Sequence, residues 1–214
     1  MSTFKQCPKK YYHTRVAKDF MDVGGEAANY GTDVHKVAED YIALGTPVPK
    51  KYGYLAPIVE KAQGLPGTKY AELKLGVSKI GGDYYPCDFT SPDAWWRGII
   101  DLLSVAENKA FVIDWKTGKS ARYADVKQLD LMAGAIFTHF PGVEVIKSGL
   151  AFVVSNEWVP KTHVRAELHE YMSVFDPQLE QLEHAHASGV WNPQSSGLCG
   201  WCPVTVCSHW KPRR

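Results

Sequence analysis

The spacing of apolar and polar residues changes several times along this chain, and each change marks an element. Over residues 29–44, Val34, Val37, Ala38, Tyr41 and Ile42 recur at three- and four-residue intervals, which predicts a helix with Gly45 as its stop. Residues 51–68 are rich in Pro and Gly and predict a short helix or a loop. From Tyr70 the period falls to two, with Leu73, Leu75 and Val77 on one side and Glu72 and Lys74 on the other, so a strand is expected. Gly81-Gly82-Asp83 reads as a turn, and 83–94 as an irregular insertion. Gly98–Ala106 and Ala110–Trp115, joined at Glu107-Asn108, predict a β-hairpin. Residues 121–138 predict a second helix, with Val126, Leu129, Met132, Ala133, Ile136 and Phe137 as its buried stripe.

Gly149–Ser155 is nearly all apolar, as expected of a central strand, and the alternation of Thr162–Leu168 predicts one more. Asp176-Pro177 reads as an N-cap followed by proline at the first helical position, with Gly189 closing that helix. The expected class is therefore α/β. Its core holds a helix, a three-strand meander, a helix and a strand, with a helical N-terminal part and a Cys-rich C-terminal tail. No internal repeat or low-complexity segment interrupts this order.

At 214 residues the chain can bury one sizeable core, so a single domain over 1–214 is expected, with its core at about 28–170. No apolar run reaches the roughly 18–20 residues that span a bilayer, and the N-terminus lacks the apolar core of a signal peptide. A cytoplasmic protein without a membrane partner is the expectation. Net charge is +1, but its distribution is uneven. Lys5, Lys9, Lys10, Arg15 and Lys18 occur in residues 1–18 without an acid, as do Lys211, Arg213 and Arg214 in 197–214. With eight cations at the ends, the middle carries −7. Basic ends suit phosphate binding and an acidic middle suits cations, although short basic termini can also be merely solvated.

The acids of the middle are placed for chemistry. Asp101 sits within Gly98-Ile-Ile-Asp-Leu-Leu103, and Asp114 follows Phe111-Val-Ile113, so each carboxylate interrupts an apolar strand. An unpaired carboxylate there costs several kcal/mol unless a cation or hydrogen bonds satisfy it. On a strand, Asp114 and Lys116 share a face and Trp115 takes the other, and pairing of the hairpin brings Asp101 beside Asp114. Two carboxylates hold a hard divalent cation, and an ammonium beside them stabilises a charged transition state. Glu72 lies on the preceding strand. His35 lies on the first helix, with Glu39 one turn later as its partner or as a solvated neighbour.

Five cysteines are present. Cys199, Cys202 and Cys207 form Cys-x2-Cys-x4-Cys, and Cys7 stands near the other end. In a cytosolic chain this spacing points to metal, and both zinc and an iron–sulfur cluster accept four thiolates. The fourth ligand would be Cys7, Cys87 or His209. Gly118-Lys119-Ser120 is not a phosphate-binding loop, because Ile113 occupies the position where such a loop begins with glycine.

Taken in order, Gly31-x3-His35-x3-Glu39, Gly98-Ile-Ile-Asp101, Ile113-Asp-Trp-Lys-Thr-Gly118 and Gln128 on a helix resemble the RecB-like branch of the PD-(D/E)XK nucleases over residues 28–135. The resemblance implies a restriction-endonuclease-like core. It further implies that His35, Asp101, Asp114 and the backbone carbonyl of Trp115 bind Mn²⁺ or Mg²⁺. Lys116 would be the catalytic lysine, acting with Glu72 and Gln128. Gln128 matches the first position of the family's Gln-x3-Tyr motif, but Met132 stands where tyrosine is expected, and Tyr123 on the same helix is at the wrong offset.

Cys7 in Phe4-Lys-Gln-Cys-Pro-Lys-Lys-Tyr-Tyr12 resembles the first cysteine of the iron–sulfur members. These include the exonucleases of CRISPR adaptation modules and AddB. Cys199, Cys202 and Cys207 resemble the other three, with a last gap of four residues rather than five. The resemblance thus implies a [4Fe-4S] cluster joining 1–27 to 190–214, with Zn²⁺ as the alternative and Cys87 as the unused thiol. Tyr11, Tyr12, Trp201 and Trp210 then either line a DNA surface or shield the cluster.

The implied function is a metal-dependent exonuclease acting on single-stranded or frayed DNA in a prokaryotic or phage-infected cell. Its partners would come from recombination, replication or CRISPR adaptation. A non-catalytic DNA-end-binding or adaptor module and a redox sensor are the rivals.

Overall fold

The computed structural model describes residues 2–22, 24–122 and 124–212. Tyr123, Arg213 and Arg214 therefore lie outside the described residues. In chain order the elements begin with α1 (Ser2–Gln6), α2 (Pro8–Tyr11), α3 (Glu26–Leu44) and α4 (Ala56–Gln63). Strands β1 (Thr68–Ile80), β2 (Asp83–Cys87), β3 (Ala94–Ala106) and β4 (Lys109–Lys116) follow. Then come α5 (Lys127–His139), β5 (Val145–Phe152), β6 (Glu157–Val164), α6 (Leu168–Ser173) and α7 (Asp176–Ser188). The chain divides into two compact units, one of residues 26–173 and one that joins 1–25 to 174–214. No helix among the described residues is long and apolar enough to cross a membrane.

Residues 26–173 carry the mixed α/β architecture that the sequence predicts. One six-stranded sheet runs β2-β1-β3-β4-β5-β6. Every neighbouring pair is antiparallel except β4 and β5, whose parallel pairing needs a crossover, supplied by α5. Both faces are covered. Val34, Ala38 and Ile42 of α3 and Val59 and Ala62 of α4 pack with Leu102, Ile113 and Trp115 on one face. Leu129, Ala133, Ile136 and Phe137 of α5 pack with Leu103, Val112 and Leu150 on the other. With α6 closing over its outer side, α5 is apolar nearly all round, as a helix buried between two layers must be.

Several boundaries differ from the sequence expectation. Residues 83–87 form β2 rather than an irregular insertion, because Gly81 and Gly82 both take positive φ (60° and 95°) and close a hairpin that buries Tyr84. The insertion is confined to 88–93, and four strands rather than three precede α5. The expected helix over 121–138 begins only at Lys127, because 117–126 is a loop pinned where Glu157 accepts the Ala121 amide at 3.2 Å. The expected strand over 162–168 lies instead at Glu157–Val164, and Leu168 opens a helix. Phe175, not Asp176, is the N-cap of α7, which ends at Gly189 with φ 71°.

A buried polar cluster pins α5 to the far edge of the sheet. Asp130 Oδ1 lies 2.8 Å from His163 Nε2 and 2.5 Å from Lys161 Nζ, both on β6. Burial alone would raise the Asp130 carboxyl, but the hydrogen bonds from His163 and Lys161 outweigh it and hold the group below the usual carboxylate range. Its contribution to stability is therefore complete above about pH 4, where an unfolded Asp is ionised, and is lost as pH falls through the lowered native value. Asp130→Asn is expected to lower the urea midpoint at pH 7, with the gap from wild type closing below about pH 4. A pH-independent gap would contradict this.

Candidate active site

The site forms where the two faces meet at the end of β4. The last paired rung of the β3–β4 hairpin is Leu102↔Ile113, and Asp101 and Asp114 stand at the next position. Asp101 Oδ2 accepts the Trp115 amide at 2.7 Å, which ties the two strands together at the site itself. Trp115 is buried against α3, so alternation turns Asp114 and Lys116 toward the α5 side. There Lys116 Nζ lies 2.5 Å from Asp114 Oδ2 and donates to Gln128 Oε1 at 3.1 Å. From the opposite face, α3 brings in His35. Its Nε2 meets the Trp115 carbonyl at 3.0 Å, and its Nδ1 faces Asp101 at 3.4 Å and Glu72 at 3.9 Å. Glu39 pairs with Lys36 at 3.0 Å, which identifies it as the solvated neighbour rather than the partner of His35.

Glu72 reaches this point through a distorted backbone. It has φ of 50° in the middle of β1, a left-handed conformation that costs a non-glycine residue about 1–2 kcal/mol. The pairs Ala71↔Leu102 and Leu73↔Ile100 flank Glu72 and Asp101, which face each other without a regular rung. Inside-outside alternation slips at the same place. Tyr70, Leu73 and Leu75 all pack on the α5 side, as do Ile100 and Leu103, whereas Ala71 and Leu102 pack on the α3 side. The simple alternation read from the sequence passes over this slip, which turns two carboxylates into the site instead of across the sheet. Strain stored at such a point is a mark of function. Glu72→Gly is expected to raise folding stability by about 1 kcal/mol, by relieving the strain, and to weaken Mn²⁺ binding measured by calorimetry. A less stable protein that binds Mn²⁺ as before would contradict this.

The carboxylates of the site disfavour one another's charge, and His35 and Lys116 oppose that repulsion. Burial pushes the Asp114 carboxyl up, and the nearby Asp101 charge adds to this, with Lys116 opposing both. Glu72 is raised by burial and then by Asp101. His35 is raised, first by its hydrogen bond with Asp101, against the effect of burial. Asp114 is 4% exposed. Its buried Oδ2 faces the Lys116 ammonium, which is its ion-pair neighbour. One ligand atom each from His35, Glu72 and Asp101 lies within 4.8 Å of the others, close enough to share one ion.

The fold is shared with a candidate exonuclease. That protein, from Eubacterium rectale, is similar to 94% of this chain over 88% of its own length, with a TM-score of 0.50 and 10% identity. The crystal structure of SSO0001 matches 96% of this chain over 83% of its own length, with a TM-score of 0.44 and 14% identity. No family model and no curated protein matches the chain.

The second compact unit gathers the cysteines. Cys7, Cys199, Cys202 and Cys207 all line a cavity of about 150 Å³, together with Lys10, His209 and Trp210. Cys87 ends β2 and does not line it. Backbone amides point at the sulfurs: those of Lys10 and Gln194 donate to Cys7 Sγ at 3.5 and 3.4 Å, and that of Ser196 to Cys199 Sγ at 3.3 Å. Burial pushes the Cys202 thiol up. Among the described residues, no three of these sulfurs lie within 4.8 Å of one another.

The aromatic residues of this unit divide. Tyr11 and Tyr12 pack on Trp191, with ring centroids 6.0 and 5.4 Å away, and the Trp210 indole donates to the Cys202 carbonyl at 3.1 Å. Trp201 is 59% exposed. The basic N-terminal run is partly compensated by acids that follow it, since Lys10 pairs with Asp22 at 2.9 Å and His13 with Asp19 at 3.0 Å.

Sequence reasoning missed Asp130, Lys161 and His163. The signal was available in Leu129-Asp-Leu-Met132, where a carboxylate interrupts an apolar helix as Asp101 and Asp114 interrupt apolar strands.

Proposed function

We propose that the protein is a divalent-metal-dependent deoxyribonuclease of the RecB-like PD-(D/E)XK type. It would act as an exonuclease on single-stranded or frayed DNA ends and carry a structural [4Fe-4S] cluster. The observation that carries the reading is the meeting of His35, Glu72 and Asp101 within reach of one ion, beside the buried Asp114–Lys116 pair and the Trp115 carbonyl. A cation relieves the crowding of carboxylates, of which Asp114 and Glu72 are raised in pKa, and a donor set of carboxylates, a carbonyl and an imidazole fits Mn²⁺ or Mg²⁺. His35, Asp101, Asp114 and the Trp115 carbonyl would hold it, together with Glu72, whose carboxylate is within reach of the same ion as His35 and Asp101. When bound, the ion supplies a Lewis acid that lowers the pKa of water and neutralises phosphate charge.

The rest is the work of the chain. Lys116 presents an ammonium fixed by Asp114 and Gln128, positioned to meet the negative charge that builds on phosphate oxygens in the transition state. His35 spans α3 and β4 and locks the Trp115 carbonyl in place. Asp101 fixes the backbone of Trp115 through its amide, so both strands of the hairpin hold one geometry. A likeness in fold to a candidate exonuclease agrees with this reading.

For the cysteines, zinc at 2.3 Å from each sulfur would set thiolates about 3.8 Å apart. The cavity of about 150 Å³ that the four cysteines line, with backbone amides aimed at the Cys7 and Cys199 sulfurs, supports a cluster. The test of exonuclease action is degradation of linear single-stranded DNA with Mn²⁺ beside a closed single-stranded circle. The linear strand is expected to be consumed and the circle spared. Nicking of the circle at an equal rate would remove the exonuclease assignment.

A further inference from the structure

The connection between Lys116 and Gln128 does not by itself hold these two side chains together. The described residues between β4 and α5, 117–122 and 124–126, form no helix or strand, and Val126 at the head of α5 provides no side-chain cap. The first turn of α5 could therefore shift relative to β4 without breaking the covalent path. The other end of the helix is fixed independently: the Arg165 guanidinium donates to the carbonyls of Phe137, Phe140 and Val143 at 2.6–2.8 Å. Leu129 buries the first turn in the core, and Asp130 adds its polar tie. Asp130 lies two residues after Gln128 and binds His163 and Lys161 of β6, with His163 wholly buried.

We propose that Asp130, held by His163 and Lys161, is a positioning residue that sets Gln128 against the Lys116 ammonium. Three observations support it. Asp130 ties α5 itself to β6, a strand outside the catalytic hairpin to which Glu157 also pins the preceding loop at Ala121. A carboxylate in the first turn of a helix is also favoured by the helix dipole, which makes the pin directional. The network is satisfied behind the first contact as well. Ser148 Oγ lies 3.4 Å from His163 Nδ1 and donates to the Lys161 carbonyl at 3.0 Å, so the imidazole cannot turn freely.

Ser148, His163 and Asp130 are not a nucleophilic triad. The serine proton is already donated to a carbonyl, and all three residues are buried where no substrate reaches them.

The inference rests on the proposed role of Lys116, and its test separates the two. A double-mutant cycle on the cleavage rate at saturating DNA and Mn²⁺ uses Asp130→Asn and Gln128→Ala, with Lys161→Met as a milder version of the first. Asp130→Asn is expected to slow cleavage about tenfold in the wild-type background and less than twofold in Gln128→Ala, because its effect passes through Gln128. Equal slowing in both backgrounds would overturn the proposal and leave Asp130 as a fold-stabilising residue only.

The second readout needs no activity: the Gln128 side-chain amide resonance in isotope-labelled protein. It is expected to be dispersed in wild type and to move toward the position of a free glutamine in Asp130→Asn and, by a smaller shift, in Lys161→Met. An unchanged resonance in folded variants overturns the positioning role. Absence of cleavage in wild type with a resonance that shifts as expected removes the nuclease reading and leaves the positioning intact.

Discussion

Asp114→Asn is expected to abolish metal-dependent DNA cleavage, by at least about a thousandfold, while leaving the protein as stable as wild type or more so. The two effects have one cause. Asp114 is buried, and its carboxyl is raised by that burial and by Asp101, so ionising it in the folded protein costs free energy. A raised carboxyl penalises the fold at neutral pH and the penalty lifts as pH falls, the opposite of the Asp130 case. Asparagine keeps the shape and removes the charge. Lys116 loses its ion-pair neighbour but keeps Gln128 and is about a third exposed, so water can replace the lost contact. A carboxylate retained at a site where it destabilises the fold requires a use for its charge. Thermal melting and cleavage measured on one preparation would check both halves.

Cys7→Ser is expected to have the largest effect on stability. Residues 1–25 and 174–214 form one compact unit although the whole of 26–173 separates them in sequence. Aromatic contacts among Phe4, Tyr11, Tyr12 and Trp191 hold the segments together, as does the Gln194 amide on Cys7. A cluster bound by Cys7 and Cys199 would close a loop of about 190 residues, worth up to about 5 kcal/mol in chain entropy by analogy with a disulfide. The variant should lose iron, brown colour and much of that stability. Cys87→Ser should lose none of them, since Cys87 does not line the cavity. Full stability in a colourless Cys7→Ser protein, or zinc in place of iron in wild type, would contradict the cluster.

Most of the architecture was legible because its signals are local. The Val34–Ile42 stripe, the Gly98–Trp115 hairpin and the apolar run at 149–152 each state their period within one element, and each forms close to its expected place. The pairing of Asp114 with Lys116 follows from period two, and the hairpin register sets Asp101 opposite Asp114. Other features depend on contacts between elements. The start of α5 is set by a loop pinned through Glu157, thirty-six residues away from Ala121. Burial of Tyr84 against Trp95 turns 83–87 into a strand, although the local composition reads as irregular. The strained backbone of Glu72 leaves no trace in a pattern of alternating residues, because the slip is set by its partner strand. Asp130 is marked locally as a carboxylate interrupting an apolar helix, but its partners on β6 are not.

The central claim is that His35, Glu72, Asp101, Asp114 and Lys116 form a cation-dependent cutting centre. End-labelled single-stranded DNA incubated with Mn²⁺, with wild type beside Asp114→Asn, tests it most directly. Wild type should shorten the strand only when the cation is present, and the variant should leave it intact. No shortening by wild type in Mn²⁺ or Mg²⁺, or equal shortening by the variant, would contradict the account.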